Sequence, residues 1–365
     1  MDTLLKNLEE PKFFDSFIQD NMKTLTYRAL WKDEIAQVDY CAAKVYQAYL
    51  AEYAAATVGS VIDKNAEKPT HQMPSLQELV GTIGRMGDEY QINNDLLDQY
   101  YYLEGRYRNN RPNYTAAQDT AEFEKLVQYL FRPFEKAVIA PHKRIDMLYF
   151  EGLFKGTQTV SRTNNTKANV AYTLDLGITT YNASTAAWGQ TTATPLADIQ
   201  AAVDAIGAKG KTVMKIRMSK GTFRKMCKAT EIANAIRLDL GRVKVNSPLP
   251  IVAPDQMNAY LESVLLPTIV VEPDRWATLA DGTGVNLTPD DRVVFQCAEN
   301  VAVLKVAEPL ELVDKLPNKT YSIYDDNLVG YWRDKNGRFT DYEMWAQPVF
   351  NGLNDFYILK TDQTA

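Results

Sequence analysis

Apolar residues recur at threes and fours through much of this chain, and where they do the pattern predicts helices. From Trp31 to about Thr57, Ile35, Val38, Ala42, Val45, Tyr46, Tyr49 and Tyr53 share such a face in an alanine-rich stretch. Residues 92–108 (INNDLLDQYYYLEGRYR) predict a short tyrosine-rich helix. Thr115 and Gln118 then have the spacing of a capping box that opens a much longer one. Its stripe is Phe123, Leu126, Val127, Leu130, Phe134 and Val138, resuming at Met147, Leu148 and Leu153. Pro133 and Pro141 lie inside the stripe and each removes a backbone donor, so a kinked or broken rod is expected. Taken as continuous from 116 to 155, the rod would span roughly 60 Å, more than a compact globule of this size needs.

Elsewhere the pattern is extended. The segment SLQELVGTIGRMGDEYQI alternates in part (Leu79, Gly81, Ile83) and carries three glycines, which predicts a twisted hairpin, with the polar run 64–74 leading into it. NVAYTLDLGI reads as a strand. A further region begins near 193, where Thr194-Pro195 opens a helix whose Leu196, Ile199, Val203 and Ile206 share a face and which ends at Gly207. The strand TVMKIRM follows, with Met214, Ile216 and Met218 on one face and Lys215 and Arg217 on the other. Helices near 220–236 and 255–265 and strands near 268–272, 292–297 and 301–307 complete an α/β unit. Residues 1–30 are weakly periodic and read as an arm held by partners, and 319–365 read as strands and loops.

Composition narrows the function. The chain has 365 residues, 45% hydrophobic and 24% charged, with a formal net charge of −6, so a broad electrostatic grip on nucleic acid or anionic lipid is disfavoured. No signal-peptide pattern opens it, and its most apolar run, VLLPTIVV, falls far short of a membrane span. Cys41, Cys227 and Cys297 have no metal-site or disulfide spacing, which points to a reducing compartment.

Candidate chemistry is thin. AIGAKGKTVMKIR contains the Gly210-Lys211-Thr212 end of a phosphate loop, but Ala205 stands where the first glycine belongs. A helix precedes it and a strand follows, the reverse of the order that aims a helix N-terminus at phosphate, so a glycine helix cap is preferred. His71 and His142, the only two histidines, have no nucleophile-elbow context. The run RYRNNRP beside Tyr100, Tyr101 and Tyr102 could bind a single strand, but reads better as packed tyrosines with arginines meeting carboxylates, including those of a neighbouring subunit. No catalytic, cofactor-binding or metal-binding residue is assigned. An arm, a projecting hairpin and a long rod would each leave apolar surface uncovered in a monomer, and that surface demands partners.

The order of the parts is itself informative. KRIDMLYFEGLFKGTQTV, then NVAYTLDLGI, then a Trp-bearing loop into TATPLADIQAAVDAIG, then IRMSKGTFRKM, and finally YEMWAQPVFNGLNDFYILK (Tyr342 to Lys360) resemble the tailed-phage major capsid protein E family of the lambda type, from about residue 60 onward. The resemblance implies an α+β, HK97-like shell fold. Its parts would be an N-terminal arm and helix (1–57), an E-loop (about 58–92) and following helix to 115, a peripheral domain with a spine helix (116–192, spine 116–155), an axial α/β domain (193–305), and a return to the peripheral domain (306–365). It implies no enzyme and no cofactor. The subunit would self-assemble into hexamers and pentamers of an icosahedral phage or prophage head in the host bacterial cytoplasm. Scaffold, portal and decoration proteins would be further partners, and DNA would be enclosed without sequence-specific binding or any membrane. Leu76, Leu79, Ile83 and Met86 in the hairpin and Phe123, Leu130 and Phe134 on the spine are the contact or core candidates. The alternatives are an encapsulin-like nanocompartment shell and an α/β nucleotide-dependent enzyme built on 193–305.

Overall fold

A computed structural model describes residues 4–25, 27–50, 77–92, 94–165, 170–184, 186–239, 252–279, 281–335, 337–350, 352 and 355–364. The chain divides into two units. Unit 1 comprises Met1–Tyr46, Gly81–Asp146 and Leu304–Pro348, and unit 2 comprises Gln47–Val80, Met147–Val303 and Val349–Ala365.

Unit 1 is built on a sheet in the order Val38–Cys41, Ala302–Ala307, Gly337–Phe350, Asn327–Asp334, Lys319–Tyr324. The short strands Arg85–Met86 and Glu89–Ile92 also pair with the long strand Gly337–Phe350. The arm is helical. Pro11 starts a helix over Pro11–Thr24, where its missing N–H costs nothing. Phe14, Phe17, Ile18 and Met22, at helical spacing, are buried. Phe14 and Phe17 meet Phe134 of the long helix at ring distances of 5.6 and 5.8 Å, and Phe14 meets Tyr331 of the sheet at 5.9 Å. The Ser322 hydroxyl donates to Asp15 at 2.8 Å, and Arg338 donates to Glu9 at 3.2 Å. The weak periodicity read over 1–30 therefore underrated an amphipathic helix that belongs to its own chain's core.

The helix expected from 31 to 57 is not there. One turn forms at Trp31–Glu34, followed by the strands Val38–Cys41 and Val45–Leu50, while residues 51–57 lie outside those described. Val38–Cys41 runs parallel to Ala302–Ala307, from Val38 opposite Leu304 to Cys41 opposite Ala307. None of its four side chains is fully buried. Backbone pairing with a strand far away in sequence places this segment, and a side-chain pattern does not register that.

The long helix is continuous over Ala116–Lys155 despite Pro133 and Pro141. Thr115 and Gln118 cap it reciprocally: the Thr115 N–H donates to Gln118 Oε1 at 3.0 Å, and the Gln118 N–H to Thr115 Oγ1 at 3.4 Å. Pro141 cannot donate to the Ala137 carbonyl four residues back. The buried Asn327 amide does so instead at 3.0 Å, and also donates to the Val138 carbonyl at 3.3 Å. A side chain from a distant strand repairs the ladder where a break was expected.

Unit 2 holds a five-stranded sheet in the order Ile269–Glu272, Lys215–Ser219, Arg292–Gln296, Phe356–Thr364, Thr180–Ala183. Its helices are Pro195–Ala208, Lys220–Met226, Thr230–Asp239 and Pro254–Ser263. Thr157–Val160 and Tyr172–Asp175 form a separate hairpin. Ile199, Ile206, Ile216, Met218, Phe223, Ile232, Val293 and Leu359 contribute to one buried cluster. Four details differ from the sequence reading. The strand starts at Lys215, leaving Met214 exposed. Arg217 is buried and donates to the buried Glu272 at 2.6 Å, so both faces of that strand are covered. The strand expected near 301–307 joins the sheet of unit 1, although it was expected in the α/β unit. The closing strand Phe356–Thr364 pairs in unit 2, so the return expected over 306–365 divides at Pro348.

Candidate assembly surface

Chemistry first. Among the described residues no group of three or more His, Cys, Asp or Glu side chains could hold a metal ion. No helix among them is long and apolar enough to cross a membrane. Burial pushes the Cys227 and Cys297 thiols up to about 11, which makes poor nucleophiles of them. The phosphate-loop lookalike is a helix end. The helix runs through Ala208, and Gly210, at φ +76, takes the left-handed turn that had been assigned to Gly207. Lys209 lies over the Tyr357 ring at 5.1 Å, and Lys211 faces Asp355 at 3.6 Å.

The feature that stands out is a ribbon. Val45–Leu50 and Gln77–Thr82 pair as a two-stranded sheet and with no third strand among the described residues. Its base is firmly built. The Ile83 N–H donates to the Lys44 carbonyl at 3.0 Å, and Ile83 itself is buried. The Lys44 ammonium lies 4.0 Å from the centre of the Trp345 ring. Arg85 pairs with Glu343 at 2.9 Å, and the Trp345 indole donates to the same carboxylate at 2.8 Å. Burial alone would raise the Glu343 carboxyl. Hydrogen bonds from Trp345 and the backbone of Glu311 and Leu310, with the Arg85 charge, hold it below its usual range.

Beside this base is a surface hollow of about 450 Å³ lined by Ala42, Lys44, Ala307, Leu310, Glu311 and Val313 among others. The one-turn helix Leu310–Val313 and the residues after it leave Leu310, Val313 and Leu316 exposed, Val313 by 73%. The tyrosine-rich helix Asn94–Asn110 buries Tyr100 and exposes Tyr101 and Tyr102. Two arginines here meet carboxylates of the same chain: Arg108 pairs with Glu104 at 2.8 Å, and Arg111, just past the helix, with Asp119 at 3.2 Å. Tyr107 donates to Asp119 at 2.6 Å, and that bond holds its hydroxyl proton on to higher pH. Unit 2 exposes Met214, Leu265 and Trp276, with Leu265 93% exposed at a left-handed φ of 62.

The seven candidate residues separate sharply. Leu130 and Phe134 are fully buried in the core of unit 1, and Ile83 is nearly so. Met86 is half-buried against the same core and pairs with Met344. Phe123 is 41% exposed, with its ring centre 6.1 Å from that of Tyr107. Leu79 is in a ribbon strand, and Leu76 lies outside the described residues. The exposed apolar residues at 310–316 and at Leu265 and Trp276 had no periodic signal to single them out. An isolated leucine or tryptophan in a loop looks the same in sequence whether covered or bare.

Comparison with known proteins adds the following. The sequence model of the phage major capsid protein E family matches residues 116–309. The putative capsid protein of an E. coli prophage is similar in structure, with a TM-score of 0.56 at 12% identity over 96% of this chain and 98% of that one. A phage-related protein from Bordetella bronchiseptica aligns with a TM-score of 0.43 at 11% identity over 95% and 96% of the two chains. The capsid subunit of cyanophage A-1(L) aligns with a TM-score of 0.45 at 11% identity over 92% and 93%. No curated protein sequence matches the chain.

Proposed function

We propose a mode of assembly from one premise: the chain belongs to the phage major capsid protein E family and is a subunit of a phage head shell, with the HK97-like α+β fold. Copies join in hexamers and pentamers that close around packaged double-stranded DNA in the host cytoplasm. The work of the chain is assembly, without substrate turnover. A net charge of −6 suits a wall that encloses DNA without gripping it. Unit 1 takes the part of the peripheral domain and unit 2 that of the axial domain. Scaffold, portal and decoration proteins complete the particle.

The observation that carries this reading is the lone ribbon. A two-stranded ribbon is marginally stable by itself in water, and among the described residues no strand pairs with either of its outer edges. A ribbon fixed at its base by Lys44, Ile83 and Arg85, and joined by no third strand among the described residues, is suited to lie on a second copy. We assign the ribbon strands Val45–Leu50 and Gln77–Thr82 to the E-loop; Arg85–Met86 and Glu89–Ile92, which the resemblance put in it, are strands paired with Gly337–Phe350. Phe123, Tyr102 and the Leu310–Leu316 ledge are among the exposed apolar positions of unit 1, and are the ones offered to neighbours.

Negative-stain microscopy of the overexpressed chain should show rings, tubes or closed shells. A strictly monomeric species of 41.2 kDa across protein and salt concentrations would overturn the proposal. Replacing residues 51–76 with an Asn-Gly turn should abolish shells while leaving far-UV dichroism near normal. Shells of normal size from that variant would remove the ribbon from the mechanism.

A further inference from the structure

Lys319, on the first strand of the Lys319–Tyr324, Asn327–Asp334, Gly337–Phe350 series, does not point to solvent. Its side chain is 5% exposed, and Nζ donates to Asp341 Oδ2 at 2.5 Å and to Glu311 Oε2 at 2.5 Å. Asp341 is on the third strand, so the lysine crosses the whole width of the middle one. It can do so because Gly330, directly opposite Asp341, has no side chain. A Cβ there would stand 2.1 Å from Lys319 Cε and 2.4 Å from Asp341 Oδ1. The walls are aromatic: Nζ is 4.6 Å from the Trp332 ring centre and 5.3 Å from that of Tyr321. Tyr321 also donates to Glu311 Oε2 at 3.1 Å, fixing the second carboxylate. Asp341 Oδ1 is buried and has no hydrogen-bond partner among the described residues.

The geometry points to an intramolecular isopeptide bond between Lys319 Nζ and Asp341 Cγ, formed by the chain on itself with Glu311 as proton carrier. Amide formation needs close approach of the amine nitrogen to a carboxyl group in its acid form. An ion pair on its own would lower Asp341. Burial outweighs Lys319 here and raises it, which favours the acid form that an amine can attack.

The step balances without any co-reactant. The Nζ lone pair forms the new bond to Cγ, and Glu311 Oε2 takes a proton from the nitrogen. The Cγ–Oδ2 bond breaks, and that oxygen leaves as water with the proton Glu311 returns. Oδ1 remains as the amide carbonyl. One amide is made, one water is lost and nothing is oxidised or reduced. The product staples the first and third strands across the second. The inference does not depend on assembly, since a monomer would carry the bond as well as a shell.

Intact-mass spectrometry of the purified full chain under denaturing conditions tests this. The expected mass lies one water below that of the sequence, with a branched tryptic peptide joining the Lys319 and Asp341 segments. Lys319→Arg should restore the full sequence mass, and Glu311→Gln should leave most of the chain unlinked. Asp341→Asn should change the loss from one water to one ammonia. A wild-type chain at its full sequence mass overturns the proposal without reference to any variant. So does a lost water that survives Lys319→Arg, because that loss would belong to another site.

Discussion

Unit 2 and unit 1 are made from the chain in opposite ways. Unit 2 takes most of its residues from one stretch, Met147–Val303, so that strand, helix and strand follow one another and pack locally. Unit 1 is gathered from three stretches spread over nearly the whole sequence, and its arm helix is fastened to strands more than three hundred residues away. The family match at 116–309 contains all of that stretch of unit 2 but only fractions of unit 1. Local contacts leave their mark as periodicity and ordered motifs. Distant contacts must close long loops first, and their pattern is scattered over segments that look unremarkable one by one.

The largest test of that contrast is Phe134→Ala. Phe134 is fully buried where Phe14, Phe17 and Tyr331 converge, so its loss strikes the arm, the long helix and the sheet together. Removal of so large a ring costs about 3–5 kcal/mol. If the two units unfold separately, calorimetry should show the transition of unit 1 fall by that amount and the transition of unit 2 stay put. Both transitions falling together would mean that the units, though differently built, unfold as one.

A second test uses acid. His142 is the only histidine among the described residues, and it lies in unit 1. Burial pushes it down to about 4, against a smaller opposite pull from Asp325. The Trp31 indole donates to its Nδ1 at 3.4 Å and the Trp31 N–H to Asp146 at 2.7 Å, which fastens the 31–34 turn to the long helix. The folded state prefers the neutral ring, so its contribution is complete above about 6.5 and is lost as the pH falls from there toward 4. A shift of that size corresponds to about 3 kcal/mol at most. His142→Gln should flatten this acid dependence for unit 1 relative to wild type and leave unit 2 unchanged. An identical pH profile in wild type and variant would show that the ring does not titrate against folding.

What could be read in advance follows the same division. The helices Ala116–Lys155 and Pro195–Ala208 and the strands at 215–219, 269–272 and 292–296 carry strong periods or caps, and the sequence pointed to each. The strand Val38–Cys41 did not declare itself, because backbone pairing holds it and all four side chains stay partly open. The helix surviving Pro141 was likewise hidden, since its repair comes from Asn327. Of the candidate surface, Phe123 was legible as one member of a stripe, whereas exposed Leu265, Trp276 and Val313 carry no pattern. Periodicity identifies what a chain buries, and says little about what it leaves bare for others.

The smallest test returns to the glycines of AIGAKGK, where two identical residues should respond with opposite signs. Gly207 lies within the helix Pro195–Ala208, and a Cβ there would meet nothing within 4 Å. Gly207→Ala should therefore stabilise unit 2 by about 0.5 kcal/mol, through the freedom removed from the unfolded chain. Gly210 sits at φ +76, where any side chain crowds the following carbonyl, and Gly210→Ala should cost about 1–2 kcal/mol. Thermal unfolding of the two variants side by side measures the difference without reference to an absolute scale. Should Gly207→Ala be the damaging change and Gly210→Ala the harmless one, the helix would close at Gly207, as the periodicity alone suggested. The expected order instead makes Gly210 the corner from which the chain turns back toward the strand at Lys215.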